Sequence, residues 1–109
     1  MKYIDTNIIL RYLLHDEETL YNQAKEILLT NENLFVLNEV ITEAVYVLLK
    51  VYGIEKQKIY KVLSDFIHSE NVILYNKDVI LKAFQSFLKQ TLISLTAFYV
   101  LSEVINQTQ

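Results

Sequence analysis

The chain has 109 residues, 52% of them hydrophobic, with ten Lys and Arg against 13 Asp and Glu and a formal net charge of −3. That length fits one domain, spanning residues 1–109, with a core covering roughly 60–70% of the unfolded surface, and that hydrophobic content excludes a disordered chain. No cysteine is present, which excludes disulfides and thiolate metal sites and fits a cytoplasmic protein; no apolar run approaches the ~20 residues that span a bilayer, and the N-terminus does not read as a signal peptide.

Residues 2–4, short and apolar, read as an interior strand of a sheet. Asp5, Thr6 and Asn7 follow, and they are good N-cap types ahead of a helix over 6–14, with Ile9, Leu10, Leu13 and Leu14 on one side. His15-Asp16 breaks that helix. Asp16, Glu17 and Glu18 open a second one, to about Leu29, because acids are favourable at a helix N-terminus. A turn at 30–33 leads to a buried strand at 34–37. Asn38 starts a third helix, to about Tyr52, whose core stripe is Ile41, Ala44, Val45, Leu48 and Val51. Gly53, the chain's one glycine, suits the left-handed position after a helix end. Further elements are a helix over 55–68, a strand at 72–75, a helix to about Lys89 and a sixth helix over 92–105.

The order βαα β αα β αα predicts an α/β fold with a parallel sheet and helices on its faces. Lys50, Lys56, Lys58 and Lys61 form the densest basic group and read as a solvated helix face rather than a nucleic-acid patch. His15 and His68 have no metal-ligand spacing and read as surface or helix-end residues. Phe66, Phe84, Phe87 and Phe98 fall on helical core stripes, which assigns them to packing rather than base stacking.

Two stretches carry candidate chemistry. Asp5 stands where a strand ends and a helix begins, the usual ligand crevice of an open α/β sheet. It has two readings: a helix cap, or an oxygen ligand for a hard cation such as Mg²⁺. Glu39 and Glu43, four apart near the start of the third helix, return carboxylates to the chain about forty positions later.

Those two stretches resemble a known family. Tyr-Ile-Asp-Thr-Asn-Ile-Ile-Leu-Arg-Tyr-Leu at the start, and Asn-Glu-Val-Ile-Thr-Glu-Ala-Val-Tyr-Val-Leu from Asn38, are similar to the first two motifs of PIN domains, the nuclease fold of VapC-type toxins. The similarity covers about residues 1–90. It implies a three-layer α/β/α sandwich with a short parallel sheet, Mg²⁺- or Mn²⁺-dependent cleavage of RNA, and neutralisation by an antitoxin protein. Residue by residue, it matches Asp5 and Glu43 to catalytic, metal-binding acids and Asn7 to a supporting polar position beside Thr6. The family's third motif is a pair of acids at the start of the helix that here begins near Leu92. One register places Ile93 and Thr96 there and another Thr91 and Ser94; no acid occurs between Asp78 and Glu103.

The resulting expectation is a PIN-like, toxin-type ribonuclease with weak metal binding and impaired activity, in which Ser94 or Thr96 stands where an acid is missing. The alternatives are a catalytically inactive binding module for antitoxin or RNA on the same fold, and a truncated gene remnant. A chain that is incomplete at its C-terminus also leaves Val100, Leu101, Val104 and Ile105 short of partners, which predicts a homodimer or larger assembly.

Overall fold

A computed structural model of the chain describes residues 2–89. In order, the elements are β1 (Lys2–Tyr3), α1 (Thr6–Leu14), α2 (Glu18–Thr30), β2 (Leu34–Val36), α3 (Asn38–Tyr46), a π-helical stretch (Val47–Val51), α4 (Lys56–Ile67), β3 (Val72–Leu74) and α5 (Lys77–Lys89). The three strands run parallel in the order β1-β2-β3. Lys2 pairs with Leu34, Tyr3 with Phe35, and Phe35 in turn with Ile73. Two helices follow each of β1 and β2, as expected, and α5 follows β3. β1 differs from the expectation. Among the described residues it is an edge strand with both residues exposed, because β2 occupies the middle of the sheet.

Local chemistry sets the helix boundaries. The Asp5 carboxylate accepts the Ile8 amide at 3.1 Å and caps α1. His15, in the left-handed region at φ 49°, ends α1 and donates its amide to the Arg11 carbonyl. Two residues on, the Glu17 carboxylate takes the Thr19 and Leu20 amides at 3.2 and 2.7 Å and caps α2. The joint is fastened by side chains as well: His15 Nε2 lies 2.8 Å from Glu18, and the His15 ring stacks 3.4 Å from Tyr21, which stacks in turn on Tyr12. At the other end of α2, the Asn71 amide donates to the carbonyls of Leu28 and Asn31, tying that helix to the approach to β3.

The core lies between the helices and one face of the sheet. Leu34, Val36 and Val72 point into it, against Ile9, Ile41 and Phe84. Phe66, Phe84 and Phe87 are buried, in agreement with their assignment to packing, and Phe98 lies outside the described residues. The other sheet face carries the row Tyr3–Phe35–Ile73, flanked by Leu37 and Tyr75, over a groove of about 440 Å³. Tyr3 is 64% and Tyr75 76% exposed. With strand order β1-β2-β3 every crossover steps in the same direction, and right-handed connections then put their helices on one face. The sixth helix, expected over 92–105, lies outside the described residues.

Two other expectations are corrected. Straight-helix spacing puts Val51 on the α3 core stripe, yet Val51 is 66% exposed. The stretch Val47–Val51 is π-helical, with the Tyr52 amide donating to the Val47 carbonyl, and the wider turn rotates Val51 away from the core. Gly53 follows at φ 65°, and the Ile54 amide reaches back to the Leu48 carbonyl, closing the helix end. Lys56, assigned to a solvated face, is half-buried instead, its ammonium 5.0 Å from the Phe87 ring centre. Lys50, Lys58 and Lys61 are exposed as expected.

Two substitutions separate packing from backbone strain. Phe84→Ala removes a fully buried ring that meets Tyr60 edge-on, and is expected to lower stability by about 3–5 kcal/mol. Gly53→Ala meets no atom within 4 Å, so its cost is the left-handed backbone alone, about 1–2 kcal/mol. Urea unfolding midpoints at constant slope test both values.

Candidate functional site

The last rung of the β1–β2 ladder positions the site. The Ile4 amide donates to the Phe35 carbonyl at 2.9 Å, so Asp5 leaves the sheet beside Leu37, where the chain turns into α3. α1 and α3 then pack against each other. The two motifs, forty residues apart in sequence, thus head adjacent helices at the C-terminal edge of the sheet, which is where open α/β folds bind ligands.

The Asp5 carboxylate is exposed and divided between two environments. Oδ1 holds the Ile8 amide, whereas Oδ2 takes no hydrogen bond from the described residues. Capping and ligation are therefore compatible in one side chain. Glu43 is exposed on the second turn of α3 and makes no ion pair with any described residue. Glu39, one turn earlier, lines the groove over the open sheet face with Tyr3 and Leu37. Thr6 is 5% exposed, so it supports the start of α1 from below. Asn38 and Thr42 are also buried, and the Thr42 hydroxyl donates to the Asn38 carbonyl at 3.1 Å. Asn7 is exposed and lines a separate cleft with Arg11, Leu14, Glu17 and Tyr52. Ser94 and Thr96 lie outside the described residues.

Among the described residues, no three side chains of His, Cys, Asp or Glu gather closely enough to hold a metal. Asp5 and Glu43 are both exposed oxygen donors, as many carboxylates as one Mg²⁺ commonly takes beside water and substrate oxygens. They do not fit a pair of cations, which needs several bridging carboxylates. Sequence reasoning singled out neither Arg11 nor Tyr52, which line the Asn7 cleft. The signal for Arg11 was its place four residues after Asn7, which puts both on one helix face.

The sequence profile of the PIN domain matches residues 2–101. The chain belongs to the PIN domain family. It is also similar to a VapC ribonuclease from Aquifex aeolicus (strain VF5), 33% identical over 93 residues that make up 83% of this chain and 69% of that protein. No solved structure matches the chain. The short parallel sheet and the paired helices between its strands are those of a PIN-like α/β fold. No helix among the described residues of this PIN domain is long and apolar enough to cross a membrane.

The divided role of Asp5 gives a stability test. Asn is as good an N-cap as Asp, so Asp5→Asn is expected to unfold within about 0.5 kcal/mol of wild type, whereas Asp5→Ala loses the cap and about 1 kcal/mol. Thermal and urea unfolding of the two variants measure the difference.

Proposed function

We propose that this PIN domain is a metal-dependent, toxin-type ribonuclease with impaired activity. In this reading Asp5 and Glu43 are the catalytic carboxylates and hold a single Mg²⁺ or Mn²⁺ weakly. The observation that supports it best is the exposed Asp5 carboxylate, fixed through Oδ1 at the C-terminal edge of the sheet with Oδ2 left without a hydrogen bond among the described residues. A bound cation supplies Lewis-acid polarisation of the phosphate and an activated water. The chain's own part is to orient Asp5 through the helix cap and to present Glu43 from the adjacent helix. Thr6 packs beneath Asp5, and Asn7 offers an amide on the outer side of α1.

Impairment follows from charge. No carboxylate occurs from residue 79 to residue 102, so the family's third acidic position carries a hydroxyl at Thr96 or Ser94, able to bind a water but not to neutralise a cation. The absence of any three-acid cluster among the described residues favours a second reading, in which the same fold binds RNA or an antitoxin protein without cleaving. The relative's name, VapC ribonuclease, supports the catalytic reading.

The reading includes a cytoplasmic location, which the cysteine-free composition fits. It also includes self-association, supported by the apolar row Tyr3–Phe35–Ile73 on the open sheet face, the kind of surface that marks interaction sites.

Mn²⁺ titration calorimetry on wild type and Asp5→Asn decides between the two principal readings. Weak binding by wild type, absent in Asp5→Asn, together with slow RNA cleavage that the same substitution abolishes, is the expected result. No binding at millimolar metal leaves the non-catalytic module. Fast cleavage would show that the missing acid is dispensable.

A further inference from the structure

Arg11 is the chain's one arginine. It sits in the last turn of α1, half-buried, and lines a cleft of about 220 Å³ with Asn7, Leu14, Glu17 and Tyr52. Asp16 lines the same cleft. Two acids beside an arginine ordinarily make an ion pair, yet the ion pairs among the described residues are His15–Glu18 and Lys61–Asp65. Glu17 is committed elsewhere, because both its oxygens hold the amides that start α2. The guanidinium keeps its planar fork of donors for a ligand, and that fork matches a phosphate's oxygens two at a time.

Tyr52 completes the cleft from the other side. It is half-exposed and follows directly on the π-helical stretch Val47–Val51, with its amide bonded to the Val47 carbonyl. Such stretches recur at functional sites because the extra residue re-aims the side chains beyond it. Here the wide turn carries Val51 outward, and Tyr52 meets the outer face of α1. An amide, a guanidinium and a phenol ring over leucine side chains make up the polar groups and the stacking surface that single-stranded nucleic acid uses. The volume suits a phosphate and the edge of a base rather than a drug-sized molecule. The cleft begins at Asn7, two residues from Asp5, and extends along α1. Arg11 lies six residues beyond Asp5, or about 9 Å of helix rise.

We propose that Arg11 and Tyr52 form a subsite for single-stranded RNA on the outer side of α1, the guanidinium pairing with a backbone phosphate and the ring stacking on the attached base. The proposal rests on the ribonuclease reading and deepens it. Arg11 acts as a substrate-positioning residue, separate from the carboxylates that hold metal.

The test is fluorescence anisotropy with a fluorescein-labelled single-stranded RNA of mixed sequence, in millimolar Ca²⁺ and over a range of salt, with the RNA checked for integrity on a gel. Arg11→Ala is expected to weaken binding about tenfold and to lower the slope of log affinity against log salt by about 0.7, one phosphate's worth for a single strand. Arg11→Lys restores the slope but only part of the affinity, because an ammonium is a point charge without the fork. Tyr52→Ala weakens binding about tenfold and leaves the slope unchanged, as loss of a stacking contact should. Lys58→Ala, an exposed position on α4, serves as the control and stays within about twofold of wild type. Mn²⁺ binding by Arg11→Ala matches wild type, which separates the subsite from the metal site and reports an intact fold. An Arg11→Ala protein that binds RNA with wild-type affinity and slope overturns this subsite and leaves the ribonuclease reading standing. A wild type that neither binds nor cleaves RNA removes both.

Discussion

A single backbone hydrogen bond, from the Ile4 amide to the Phe35 carbonyl, fixes where the chemistry of this PIN domain sits. It is the last rung of a parallel ladder only a few residues long. Beyond it both chains must leave the sheet, and each turns at once into a helix. Parallel strands bring both departures to the same edge, so a carboxylate that ends β1 necessarily stands beside the start of α3. A slip of one residue would turn Tyr3 into the core and Ile4 out to solvent, since successive side chains face opposite sides. The buried Ile4, Leu34 and Val36 therefore hold the site in register, although none of them reaches it.

Asp5 shows how such an edge makes a ligand economical. A free carboxylate on a loop loses rotamer freedom when it binds a cation. Here one oxygen is already fixed by the Ile8 amide at the start of α1. The orientation that ligation needs is thus maintained by an interaction that also stabilises the fold. Glu43 has no comparable anchor. It stands exposed on a helix surface, held by the packing of Ile41, Ala44 and Val45 on the opposite side. The pair is accordingly asymmetric, with one carboxylate anchored and one exposed without an anchor among the described residues, and in the proposed reading that limits how tightly two acids can grip a small cation that demands near-ideal geometry.

The helix boundaries and the position of Asp5 were legible in the sequence because capping is local. Asp5, Glu17, His15 and Gly53 each act within four residues of themselves, and each stands where its chemistry predicts. Glu43 is singled out only by family resemblance; an exposed glutamate on a helix carries no signal of its own. What was hidden depended on distance or on a change of period. A 3.6-residue stripe assigned Val51 to the core, and nothing in its neighbours announces the π-helical stretch that expels it. Lys56 looked like one more solvated lysine until α5 brought Phe87 against it. The edge position of β1 followed from strand order, which an apolar tripeptide cannot encode. Arg11 escaped notice for a similar reason, because its meaning lies in what does not pair with it.

The charge arithmetic links the carboxylate shortage to that arginine. Each carboxylate at a phosphate-cleaving site strengthens cation binding and also repels the substrate whenever the cation is away. In the proposed reading a site with two acids binds metal weakly, but it presents less repulsion to RNA approaching a protein whose net charge is already −3. Arg11 lies about one Debye length from Asp5 at physiological salt, taking ~9 Å of helix rise against ~8 Å of screening. Over that distance its charge does little to the metal's affinity, while a phosphate in direct contact with it gains the full charge-assisted pair. In the proposed reading metal affinity rests on Asp5 and Glu43 and RNA affinity on Arg11, so salt acts mainly on the second.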